Sequence, residues 1–164
     1  MRLAPRNRPL ALLLPATLFC LAGCSGPVYV SGAPVTVGPE WTELPLAEEV
    51  APQSKRQEIW VILNAPGAKA EVLLGPPVDR AVPRRFIFPD GRAAAVSAEL
   101  RMRDGTTRPL VYSGHGCARS PTCSIWFEPN PALSRGDVVT AIRVRSTDPL
   151  EMQDARWVER GFGI

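Results

Sequence analysis

The cleanest alternation of apolar and polar residues runs from Ala94 to Arg103, where Val96, Ala98, Leu100 and Met102 interleave with Ser97, Glu99, Arg101 and Arg103. A period of two sends one set to a buried face and the other to water, so the segment reads as a half-buried strand. Asp104-Gly105 supplies a turn and Leu110-Val111-Tyr112 returns, which predicts a hairpin. Asp137 to Arg145 alternates likewise, with Val138, Thr140, Ile142 and Val144 opposing Val139, Ala141, Arg143 and Arg145, and stops at Thr147-Asp148-Pro149. Ile59 to Leu63 is apolar throughout, the pattern of a central strand covered on both faces. Glu71 to Leu74, Arg85 to Phe88 and Cys123 to Phe127 are shorter candidates, and Leu150 to Met152 with Ala155 to Val158 predict a last hairpin.

No stretch keeps a helical period without a proline or glycine inside it, and about seven to nine short strands with turn-rich links predict an all-β fold. A β-sandwich of jelly-roll or immunoglobulin-like type is the expected architecture. Trp60, Trp126 and Trp157 fall in predicted strands and are expected in the core rather than on a ligand platform. Before this region, residues 24–57 hold Pro27, Pro34, Pro39, Pro45 and Pro52 with Gly26, Gly32 and Gly38, which predicts an extended tether. Val28, Val30, Val35 and Val37 alternate, however, and allow an edge strand, so the boundary near Gln57 is soft. The expected organisation is residues 1–23 as a leader, 24–57 as tether and 58–164 as the β domain, about 105 residues and enough for one core.

The leader has its own pattern. Arg2, Arg6 and Arg8 precede Leu10 to Leu14 and Ala16 to Leu21, broken only by Pro15 and Thr17, with no Asp or Glu among the first 23 residues. That order is the order of an export signal. The 14 residues from Leu10 to Gly23 fall short of the roughly 20 apolar residues a spanning helix needs, which favours cleavage. Leu21-Ala22-Gly23-Cys24 resembles the lipobox of bacterial lipoproteins, a resemblance confined to about residues 1 to 25. It implies cleavage before Cys24 once its thiol has taken a diacylglycerol, and a membrane partner reached through that lipid. Each buried methylene of the acyl chains contributes about 0.8 kcal/mol, so several chains together hold the protein to its membrane. Ser25 is not Asp, and by similarity to the sorting pattern of enterobacterial lipoproteins this implies the periplasmic face of the outer membrane.

Losing the leader changes the charge. The chain has 19 basic and 16 acidic residues; without Arg2, Arg6 and Arg8 the basic count equals the acidic one. Basicity therefore gives no support to a nucleic-acid partner. Cys20 departs with the leader and Cys24 takes lipid, which leaves Cys117 and Cys123 to pair as a disulfide in an oxidising compartment.

Candidate chemistry is sparse. His115, in Ser113-Gly114-His115-Gly116-Cys117, is the only histidine, and no G-x-S-x-G motif offers a nucleophile for it. His115, Cys117 and Cys123 lack the second ligand pair of a zinc site, and no glycine-rich phosphate loop is present, so neither metal nor cofactor is expected. Between residues 80 and 108 arginine predominates: Arg101, Arg103 and Arg108 could share one wet face around the turn and attract anionic groups of an envelope polymer, or else form an ordinary solvated face. Glu40, Glu43, Glu48 and Glu49 read as a charge run that keeps the tether soluble. The functional expectation is a lipid-anchored, non-catalytic binding or accessory module that contacts an envelope protein or polymer. The alternatives are a carbohydrate-binding module, which needs one of Trp41, Trp60, Trp126, Trp157 or Tyr112 on the surface, and a hydrolase with a fold-assembled site.

Overall fold

A computed structural model describes residues 28–30, 34–54, 56–70, 85–116 and 121–159. They form strands β1 (Val28–Val30), β2 (Val35–Val37), β3 (Thr42–Val50), β4 (Gln57–Asn64), β5 (Lys69–Ala70), β6 (Arg85–Ile87), β7 (Ala93–Met102), β8 (Thr107–Gly116), β9 (Thr122–Pro129), β10 (Val139–Ser146) and β11 (Leu150–Glu159). The fold is all-β, as the patterning predicts. Every pairing is antiparallel.

Following the ladders from β10 through β3, β1, β11, β4, β9, β8 and β7 leads back to β10, so eight strands close into a ring. Closure leaves few open edges along the ring, the usual reason for a sheet to curl on itself. The ring is a sandwich closed at its sides. One layer holds β11, β4 and β9, the other β3, β10 and β7. Strand β8 turns one corner by pairing β7 at Thr107 to Pro109 and β9 from Leu110 onward. The other corner is the single rung Val30 to Leu46 between β1 and β3.

The long alternating segment behaves as predicted: Ala94, Val96, Ala98, Leu100 and Met102 are buried, and Ser97, Glu99 and Arg101 face outward. The chain reverses at Gly105, whose φ of 85° suits glycine, and Asp104 Oδ1 accepts hydrogen bonds from the Thr106 amide at 2.9 Å and hydroxyl at 2.7 Å. The interior is filled by Ile59, Val61 and Leu63 from β4, Ile125 and Phe127 from β9, Ile142 and Val144 from β10, and Trp157 from β11.

Four expectations are corrected. Much of the stretch expected as a tether is part of the ring: β3 pairs with β10 from Thr42 to Pro45 and again at Val50, and β1 and β2 pair in series with one edge of β11. Pro45 is tolerated there because it adjoins the irregularity between Val139 and Ala141, where the ladder is interrupted anyway. The last hairpin is instead one strand, β11, carrying a bulge between Met152 and Asp154. A bulge adds one residue and shifts the phase, so Leu150 and Met152 share the buried face with Ala155 and Trp157. In β10 the bulge likewise puts Val139 and Ala141 inside with Ile142 and Val144, and leaves Val138 and Thr140 half-buried. Finally, Trp60 and Ile62 are half-buried on the outward face of β4, so this strand is central but not covered equally on both sides. Glu71 to Leu74 lies outside the described residues.

Candidate functional site

Two outward faces gather the residues singled out in the sequence. On β3, β10 and β7 the register places Glu43, Arg143 and Glu99 on one rung. Arg143 Nε is 3.6 Å from Glu43 and its Nη1 donates to Glu99, forming a negative-positive-negative ladder across three strands. Cross-strand neighbours on one face of a sheet lie close enough for such contacts. Trp41 lies against the same cluster, with the guanidinium carbons of Arg145 and Arg143 at 4.6 and 5.4 Å from its ring centre.

The expected arginine cluster meets this face, and each member has a carboxylate beside it. Arg101 lies 3.7 Å from Glu43 and donates to the Gly105 carbonyl at 2.8 Å. Arg103 pairs with Glu49, and Arg108 is 3.4 Å from Asp137. A depression of about 280 Å³ beside the β7–β8 turn is lined by Arg103 and Arg108 but equally by Asp104 and Asp137. Both acids stay charged readily. The Ser134 amide and hydroxyl hold the Asp137 carboxyl below its ordinary pKa, with Arg108 adding to the effect, and hydrogen bonds from Thr106 do the same for Asp104. The arrangement is a balanced salt-bridge surface. Two of the glutamates read as linker solubilisers, Glu43 and Glu49, join Glu99 and Asp137 as its acidic side.

The other face is aromatic. On β11, β4, β9 and β8 one rung runs Arg156, Trp60, Trp126, Gly114. The two indoles stand directly opposite one another, ring centres 5.7 Å apart and planes inclined by 31°. Trp60 Nε1 donates to Glu58 at 3.0 Å, while Arg156 is held at 2.6 Å by Asp154. Trp126 needs the glycine across from it, since a Cβ at Gly114 would come within 2.7 Å of its Cε3. Beside this contact β8 bulges between Tyr112 and Gly114, and two buried polar atoms there, Ser113 Oγ and Trp126 Nε1, have no hydrogen-bond partner among the described residues.

The expectation of core tryptophans is thus correct for Trp157 and corrected for Trp60 and Trp126. A sequence signal for Trp126 existed: it shares the outward phase of β9 with Ser124 and Glu128, between the buried Cys123, Ile125 and Phe127. His115 faces the interior side near the end of β8, hydrogen-bonded through Nδ1 to the Tyr112 hydroxyl and edge-on to Phe86. Cys123 is buried at the head of β9; Cys24 and Cys117 lie outside the described residues. Among the described residues no three His, Cys, Asp or Glu side chains gather as a metal site requires. No family model, curated protein or solved structure matches the chain.

Proposed function

We propose that the protein is a lipid-anchored component of the bacterial cell envelope, held by Cys24 on the periplasmic face of the outer membrane, whose β domain is a non-catalytic binding module. The observation that carries this reading is the order of the leader, Arg2, Arg6 and Arg8, then an apolar run, then Leu21-Ala22-Gly23-Cys24, placed immediately before a chain that begins its first strand at Val28. Such a location is oxidising. There Cys117 and Cys123 pair as a disulfide. Closing so short a loop contributes under about 3 kcal/mol.

The tryptophan rung favours one kind of ligand, a saccharide of the envelope. The C–H face of a sugar ring stacks on an indole, and the half-buried Asp154 and Arg156 beside Trp60 suit its hydroxyls. Arg101, Arg103 and Arg108 give less support to an anionic ligand because their charges are already balanced. The hydrolase reading is the weakest, since His115 is bonded to a tyrosine rather than to a nucleophile or an orienting carboxylate.

The test is to titrate the purified protein with solubilised envelope glycan while following intrinsic tryptophan fluorescence. Saturable change that disappears in Trp60→Ala, with the far-UV circular dichroism preserved, supports the saccharide reading. An unchanged spectrum at saturating glycan refutes it and leaves a protein partner, to be sought by crosslinking in intact cells.

A further inference from the structure

We propose that one end of the β ring, carrying the loops 51–54, 103–106 and 130–138, lies against the phospholipid headgroups of the membrane. The inference rests on the lipid-anchor reading of Cys24. Strand directions alternate around the ring, so each connection belongs to one of two ends. Strand β1 sets out from the end where β3, β7, β9 and β11 finish and where β4, β8 and β10 begin, because Val28 is opposite Trp157 and Gln57 is opposite Glu159. The loops 88–92 and 147–149 belong to the other end.

Length decides which end meets the membrane. Four backbone steps join Cys24 to Val28, and at about 3.8 Å each they cannot exceed about 15 Å. The ten residues of β11 extend roughly 33 Å at about 3.3 Å per residue. So short a leash fixed at one end of the ring cannot bring the far loops end-on to the surface.

The chemistry of the near end suits headgroups. Four of its carboxylates are already occupied within the protein: Asp104 by Thr106, Asp137 by Ser134, Glu49 by Arg103, and Glu159 by the Gln53 and Ser54 amides at 2.9 and 2.8 Å. Arg56, 3.9 Å from Glu58 yet with its side chain 63% exposed, and the exposed Arg135 stand on the loops of the same end and match anionic lipid phosphates.

The experiment uses the full lipidated protein in vesicles containing phosphatidylglycerol, with amide hydrogen exchange compared against the Cys24→Ser protein in solution. Severalfold slowing is expected at 51–54, 103–106 and 130–138, with 88–92 and 147–149 unchanged, and Arg56→Glu with Arg135→Glu should reduce that slowing. Slowing at both ends, at the far loops alone, or at neither end of a protein whose mass shows the acyl chains overturns the orientation. A membrane-fraction protein whose mass lacks them overturns the anchor reading instead, and the orientation with it.

Discussion

Substituting alanine at Gly114 tests whether the outward tryptophans are packed as described. The new Cβ would stand 2.7 Å from Trp126 Cε3 and 3.1 Å from Cζ3. Carbon atoms settle at about 3.5 to 4.0 Å, so the indole must withdraw by roughly 0.8 Å or more, away from Trp60 or out of its rotamer. Overpacking of this kind costs about 1 to 3 kcal/mol. Two other glycines serve as internal controls. At Gly116 the nearest atom of the same ring would be 3.5 Å away, an ordinary contact, and at Gly136 nothing lies within 4 Å. Urea unfolding followed by far-UV circular dichroism should therefore rank Gly114→Ala well below the other two, each within about 0.5 kcal/mol of wild type. The near-UV signal of the indole pair should change in Gly114→Ala alone. Equal stability for all three, with that signal intact, would refute the packing of Trp126 over β8.

Further consequences concern the buried and charged ties. Gln57 is 2% exposed; its side-chain amide donates to the Ser54 carbonyl and its oxygen accepts the Leu133 amide at 3.2 Å, so Gln57→Leu strands two backbone groups and should cost about 1 to 3 kcal/mol for each in urea titrations. Removing Arg143 leaves Glu43 and Glu99 facing an empty rung, and a double-mutant cycle of Arg143→Met with Glu99→Gln should give a coupling of about 1 kcal/mol, since the pair is only partly shielded. Asp90, Asp104 and Asp137 have carboxyls held below 3.8 in the folded state, so the stability they contribute is present above that value and lost as pH falls through their folded pKa. Asp137→Asn should accordingly flatten the fall of unfolding free energy below about pH 4.

What the sequence reveals here depends on how local the cause is. The β7–β8 hairpin is readable because alternation from Ala94, the Asp104-Gly105 turn and the returning strand lie within one short window. The bulges at Ala141 and Asp154 are not readable from period alone: each inserts a residue, and in β11 the shift imitates a break between two strands. Prolines made residues 24–57 resemble a tether, yet the fold accepts Pro45 at a ladder irregularity and buries Val37, Leu44 and Val50. The same distance hid the charge balance. Arg101 and Arg103 resemble an anion site until Glu43 and Glu49, more than fifty positions earlier in the chain, arrive across β10. The Arg156, Trp60, Trp126 rung is likewise invisible without the order of β11, β4 and β9, although the outward phase of Trp126 hinted at its half.

Both the location and the orientation proposed for the protein rest on Cys24. Intact-mass and N-terminal fragment analysis of the protein recovered from membranes tests it directly, with the Cys24→Ser variant prepared in parallel. The lipoprotein reading predicts a mature chain beginning at Cys24, heavier by its acyl groups, and a variant that carries no acyl groups and is not cut before residue 24. A mature chain that begins elsewhere, or that begins at Cys24 without lipid, contradicts it.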